Sequence, residues 1–135
     1  MKKLTYFILA LIFFNACNTK PELTKEAIQG DWTCFEYTME GDKVDPGLRD
    51  ATVKMIKETP HKFIGDTLIL KTSQFTLGFS CVFQFNDKKI ICTPIGFNDV
   101  SKTTYSVIDY SGDVLVLQES NPGIVSTTYL KRGKK

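Results

Sequence analysis

The sequence predicts a mainly β fold: an eight-stranded antiparallel up-and-down barrel with one amphipathic helix between strands 1 and 2. Short stretches rich in β-branched and aromatic residues recur from Asp31 to Lys131, each bounded by turn residues. Only Pro46 to Glu58 keeps a helical period. Consecutive strands on short turns pair antiparallel, and closing the sheet removes the exposed edges that would otherwise invite aggregation.

Taken in order, Lys2 and Lys3 precede an apolar run, Leu4 to Phe14, and then Asn15-Ala16-Cys17. Charged start, apolar middle and small residue before a cut make a secretory signal peptide in outline. The run is too short for a permanent membrane helix, which needs ~20 apolar residues. Phe14 suits the −3 position of an ordinary cleavage site poorly, whereas a cysteine directly after Ala16 resembles a bacterial lipobox. That resemblance implies a diacylglyceryl group on the Cys17 sulfur, cleavage before it, and acylation of the new amine. Several chains at ~0.8 kcal/mol per buried CH₂ anchor almost permanently. The alternative is an ordinary secreted protein with a free Cys17. The expected organisation is a signal peptide over 1–16, a tether over 17–22 and the barrel over 23–135. Asn18 is not the aspartate tied to inner-membrane retention in some bacteria, which points to the outer membrane of a bacterial cell envelope.

Leu23 to Gln29 reads as one helical turn, capped by Thr24, with Ala27 and Ile28 as its apolar face and Gly30 as its stop. In the first strand, Asp31 to Glu40, Phe35, Tyr37 and Met39 alternate with Glu36, Thr38 and Glu40, while Trp32 and Cys34 fall on the other parity. Burying both sets requires a bulge near Thr33 to Phe35. Gly41-Asp42 turns the chain.

Asp45 is a favoured N-cap, and Pro46 at N1 gives up a donor that would be unpaired anyway. Leu48, Ala51, Thr52 and Met55, widened by Val53 and Ile56, form the stripe of a helix expected to rest on the strands; Arg49, Asp50, Lys54 and Lys57 take the wet side. Pro60 ends it. Further strands are expected near Asp66 to Lys71, Gln74 to Leu77, Ser80 to Phe85, Lys89 to Thr93, Thr103 to Asp109, Asp113 to Glu119 and Ile124 to Lys131. Asn86-Asp87 and Ser111-Gly112 suit tight hairpins, and Asn121-Pro122-Gly123 a type II turn.

Without Lys2 and Lys3 the basic and acidic residues balance, so the high pI belongs to the leader. A near-neutral surface gives no electrostatic case for nucleic acid, whose binding rests on phosphate neutralisation. Trp32, seven Phe and four Tyr beyond the leader are enough aromatics for a core without staples.

Gly30-x-Trp32 at the start of strand 1, the preceding helical turn, eight strands and a basic residue on the last strand together resemble a small bacterial lipocalin-like lipoprotein. The resemblance implies that Trp32 closes one end of the barrel against Arg132 or Lys131, a cation–π contact of ~0.5 to 2 kcal/mol. It also implies binding of a small apolar ligand or acyl chain inside the barrel, with Phe35, Tyr37, Phe83 and Tyr105 as candidate lining residues. Two features depart from that family: the helix Pro46 to Glu58 stands where a long open loop is usual, as a lid or plug, and no helix follows strand 8.

An eight-stranded barrel either fills its interior with side chains or holds one small ligand, and Phe35, Tyr37, Phe75, Phe83, Phe85, Tyr105 and Tyr129 are bulky enough to fill it. The loop Pro94 to Ser101 carries Ile95, Phe97 and Val100, as a contact site or as a cover on the barrel mouth. An Asn86-Asp87 loop would set Cys81 opposite Cys92, within disulfide reach; a four-residue loop would pair Phe83 with Cys92 instead. Cys34 reads as core. His61, the sole histidine, reads as a surface loop residue with no nucleophile or orienting acid beside it.

No cysteine–histidine cluster has metal-ligand spacing, and Asp42, Asp45 and Asp50 do not match a calcium loop. The expectation is a non-enzymatic, membrane-anchored ligand-binding lipoprotein without cofactor or metal. The alternative is a protein-interaction module with a filled barrel, acting on an envelope protein as an inhibitor or immunity-type factor.

Overall fold

A computed structural model describes residues 20–57, 59–71, 79–96 and 101–133. Eight strands form one closed antiparallel barrel in sequence order: β1 (Gly30–Glu40), β2 (Pro60–Ile64), β3 (Thr67–Leu70), β4 (Phe79–Asn86), β5 (Lys89–Pro94), β6 (Thr103–Tyr110), β7 (Val114–Asn121) and β8 (Ile124–Arg132). One helix, α1 (Pro46–Ile56), links β1 to β2. The mainly β class, the closure and the position of the helix agree with the sequence expectation.

Closure is made by β1 and β8, which pair from Trp32↔Arg132 to Glu40↔Val125. The register slips between Cys34 and Glu36, leaving Phe35 as the extra residue of a bulge. This lets Trp32 and Cys34 face inward below the bulge and Tyr37 above it, although their sequence parities differ. A second slip lies between Val107 and Asp109 on β6, with Ile108 turned out.

One strand differs in place from the sequence expectation. Pro60–Ile64, taken as the stop of the helix and a following loop, is β2, and it buries His61 and Phe63 on alternate positions. The Pro60 carbonyl still serves the sheet by accepting from Lys71 N. The strand expected at Gln74 to Leu77 lies outside the described residues. The β4–β5 hairpin turns through Asp87 and Lys88, one residue later than expected, and both take positive φ (45° and 59°). That is the left-handed pair a two-residue turn needs to match the strand twist.

The two ends of the barrel differ. At one end the Lys25–Ile28 turn is held by Ile28 N donating to Thr24 O and Ala27 N to Thr24 Oγ1, and it drives Ile28 into the core. Below it Trp32, Phe63, Phe83, Ile90, Leu115 and Leu130 are fully buried, and the Phe63 and Phe83 rings meet edge to face at 5.4 Å. This half is solid. At the other end stand α1 and the β7–β8 turn.

Asp45 Oδ1 accepts from Leu48 N at 2.9 Å, so the cap and Pro46 start α1 as the sequence implies. The helix is shorter than expected, ending at Ile56, and no residue of it is buried. Leu48, placed on the apolar stripe, is 62% exposed; only Val53 and Ile56 pack against the core.

Candidate functional site

The inward positions change character along the barrel. At the α1 end they are Tyr37, His61, Leu68, Leu70, Tyr105, Leu117, Glu119, Ser126 and Thr128, and with Ile56 of α1 they line a partly open cavity of about 110 Å³. A larger crevice of about 220 Å³ lies between Lys20, Pro21, Leu23, Lys88 and β6, whose buried Val107 and Tyr110 also line it.

Glu119 sits on the same parity of β7 as the buried Leu115 and Leu117, so its carboxylate belongs to the inner face. It is flanked in register by Tyr105 on β6 and Ser126 on β8, neighbours whose Cβ atoms in such pairs lie about 5 Å apart. Asn121 Nδ2 donates to Glu119 Oε1 at 2.9 Å. His61 is 7% exposed; its Nδ1 donates to Thr59 O at 2.9 Å, which leaves Nε2 as an acceptor. Burial holds the His61 pKa down to about 4, opposed by that hydrogen bond, so the ring is neutral. Burial, and then the Glu119 charge, raises the Tyr105 phenol. Tyr37 is likewise raised by burial, offset by a hydrogen bond with Ser126. Both phenols remain neutral.

Of the lining residues expected from the sequence, Tyr37 and Tyr105 come together in this cavity. Phe83 is buried in the solid half against Phe63. Phe35 is a correction: as the bulge residue it points outward, is 43% exposed and packs on Tyr129 at 6.1 Å. His61 is a second correction, being an inner-wall residue of β2. Glu119 was not singled out from the sequence, yet its signal is there: a carboxylate two positions beyond Leu117 and four beyond Leu115 falls on the apolar face of a strand.

Trp32 and Arg132 meet at the closed end, where the guanidinium lies 4.2 Å from the indole centroid. Arg132 donates to the carbonyls of Gly112, Gln29 and Ala27, and Trp32 Nε1 donates to Ile28 O at 2.8 Å. The basic partner is therefore Arg132, the neighbouring Lys131 facing outward. These contacts lock the helical turn over the barrel floor.

The disulfide expectation fails in this structure: Cys81 pairs across from Pro94 and Cys92 from Phe83, and both cysteines are free. The shifted Asp87-Lys88 turn sets this register. Cys92 is held up by its hydrogen bond to Cys81 and by burial, and burial pushes the Cys34 thiol up to about 11. Cys17, Phe97 and Val100 lie outside the described residues, while Ile95 is 50% exposed. No group of three or more His, Cys, Asp or Glu side chains that could hold a metal ion occurs among the described residues.

No family model matches the chain, and no curated protein matches it. Among solved structures, an uncharacterized protein from Bacteroides eggerthii DSM 20697 is similar at 14% identity, covering 76% of this chain and 98% of that one, with a TM-score of 0.49.

Proposed function

We propose that this protein is a membrane-tethered lipoprotein of the bacterial envelope that binds a small molecule at the mouth of its barrel. The cavity between Ile56 of α1 and the inner wall is the observation that carries this reading. Its volume of about 110 Å³ is well below the roughly 300–1,000 Å³ of pockets for drug-sized ligands. The occupant is therefore short, and an extended acyl chain threaded through the barrel would collide with Phe63, Phe83 and Leu115. The helix, which buries none of its residues, is the element that moves to admit a larger group. The anchor rests on Lys2, Lys3, the apolar run and Cys17.

A second reading, an interaction module acting on an envelope protein, draws on the outer wall, where Phe35 and Ile108 stand 43% and 50% exposed at the two bulges. Native mass spectrometry of the chain purified from bacterial membranes separates the two. Added acyl mass on Cys17 and a reproducible co-purifying small mass are expected. A bare Cys17 would overturn the anchor, and an apo mass with no change in the Tyr37, Tyr105 or His61 resonances across a small-molecule panel would overturn the ligand reading. Trp32 fluorescence is a poor reporter, because Trp32 lies in the solid half.

A further inference from the structure

We propose that the mouth cavity selects a small protonated amine carrying an apolar substituent, with Glu119 as its counter-ion; this rests on the reading of the mouth as a ligand site. Among the described residues of the lining, Glu119 is the one charged side chain, and no lysine or arginine joins it there. The rest of the polar lining is neutral: Tyr37, Tyr105, Ser126, Thr128 and a His61 ring that uses its N–H on Thr59 and keeps a lone pair on Nε2. His61 is more than nine-tenths buried and unprotonated. The described wall thus offers acceptors and one negative charge and no fixed positive donor. An ammonium group, with donors only, complements such a wall, and the phenol faces of Tyr37 and Tyr105 add to its attraction for a cation.

Position supports the same ligand. Glu119 lies between Tyr105 and Ser126 in the ladder, and Asn121 engages one carboxylate oxygen, which leaves the other for the ligand. Ile56, Leu68 and Leu70 supply the apolar side for the substituent. A carboxylate ligand would face Glu119 without a compensating cation. Among the described residues no group of three or more His, Cys, Asp or Glu surrounds the cavity, so it does not suit a divalent metal.

The test uses three probes of matched shape on the full chain: phenethylamine, phenethyl alcohol and hydrocinnamate, titrated with the aromatic resonances of Tyr37, Tyr105 and His61 as reporters. The amine is expected to bind at least ten-fold more tightly than either analogue, and Glu119→Gln to abolish that preference. Glu119→Asp, which keeps the charge, is expected to retain it in part, so the charge is tested even if one variant folds poorly. If the alcohol or the carboxylate binds as well as the amine and shifts the same resonances, the mouth remains a ligand site and the amine inference falls. If none of the three shifts them, the site reading falls as well.

Discussion

Arg132 shows how one side chain closes a barrel end. It spans three backbone carbonyls and covers the Trp32 face, a fork geometry that an ammonium cannot reproduce. Arg132→Met is expected to cost about 2–4 kcal/mol, since it removes charge-assisted bonds and leaves part-buried carbonyls unpaired, and Arg132→Lys is expected to recover only part; urea unfolding of both variants checks this. His61 makes a pH-dependent contribution. Its folded pKa of about 4 lies below the ordinary 6.5, so between those values the unfolded chain binds the extra proton, and stability falls as pH drops from about 6.5 to about 4. The full loss is about 3 kcal/mol. His61→Asn is expected to remove that part of the profile while the carboxylate contribution stays, as measured by denaturation midpoints across pH 4–7. Lys88 holds φ at 59°, a conformation that costs a side-chain-bearing residue about 1 kcal/mol. Lys88→Gly is therefore expected to raise the unfolding midpoint slightly.

Among the elements, α1 is the weakest-held. Its start is well specified by Asp45 and Pro46, but burial of none of its residues means that little beyond Val53 and Ile56 fastens it to the barrel. Losing the cap by Asp45→Ala costs a helix about 1 kcal/mol. The expected result is faster hydrogen exchange within α1, with the amides of β1 and β8 unchanged; equal acceleration in both would show that α1 unfolds only with the whole barrel. The bulges act in the opposite sense, by fixing geometry. At Phe35 the extra residue re-aims β1, so that Trp32 and Cys34 serve the floor while Tyr37 serves the mouth. Gly41 and Gly123 complete the mouth: a Cβ on Gly41 would lie 2.1 Å from Gly123 O, so the chain leaving β1 passes directly against the β7–β8 turn.

For the molecule as a whole, closure depends on pairing the first strand with the last, which lie about a hundred residues apart in sequence. Such non-local pairing delays folding, and refolding in the millisecond-to-second range is expected, followed by stopped-flow Trp32 fluorescence because Trp32 sits in the β1–β8 seam. Packing is divided along the axis. The floor is packed with buried apolar side chains and the mouth carries the polar residues, so the proposed ligand would enter at the mouth.

Local chemistry was enough to specify the mainly β class, a bulge near Thr33 to Phe35 and the α1 cap, because alternation, turn residues and caps act over a few neighbouring residues, whereas the Trp32 end of the barrel was implied by the lipocalin resemblance. It misplaced β2, since Pro60 reads as a helix stop whether or not a strand follows, and it set the β4–β5 turn one residue early, since Asn86-Asp87 and Asp87-Lys88 both suit a hairpin. Only the closed sheet decided that Phe35 faces out, that His61 is buried without charge, and that Glu119 comes to stand between Tyr105 and Ser126. Those outcomes depend on register, and a shift of one residue turns every side chain of a strand to the opposite face.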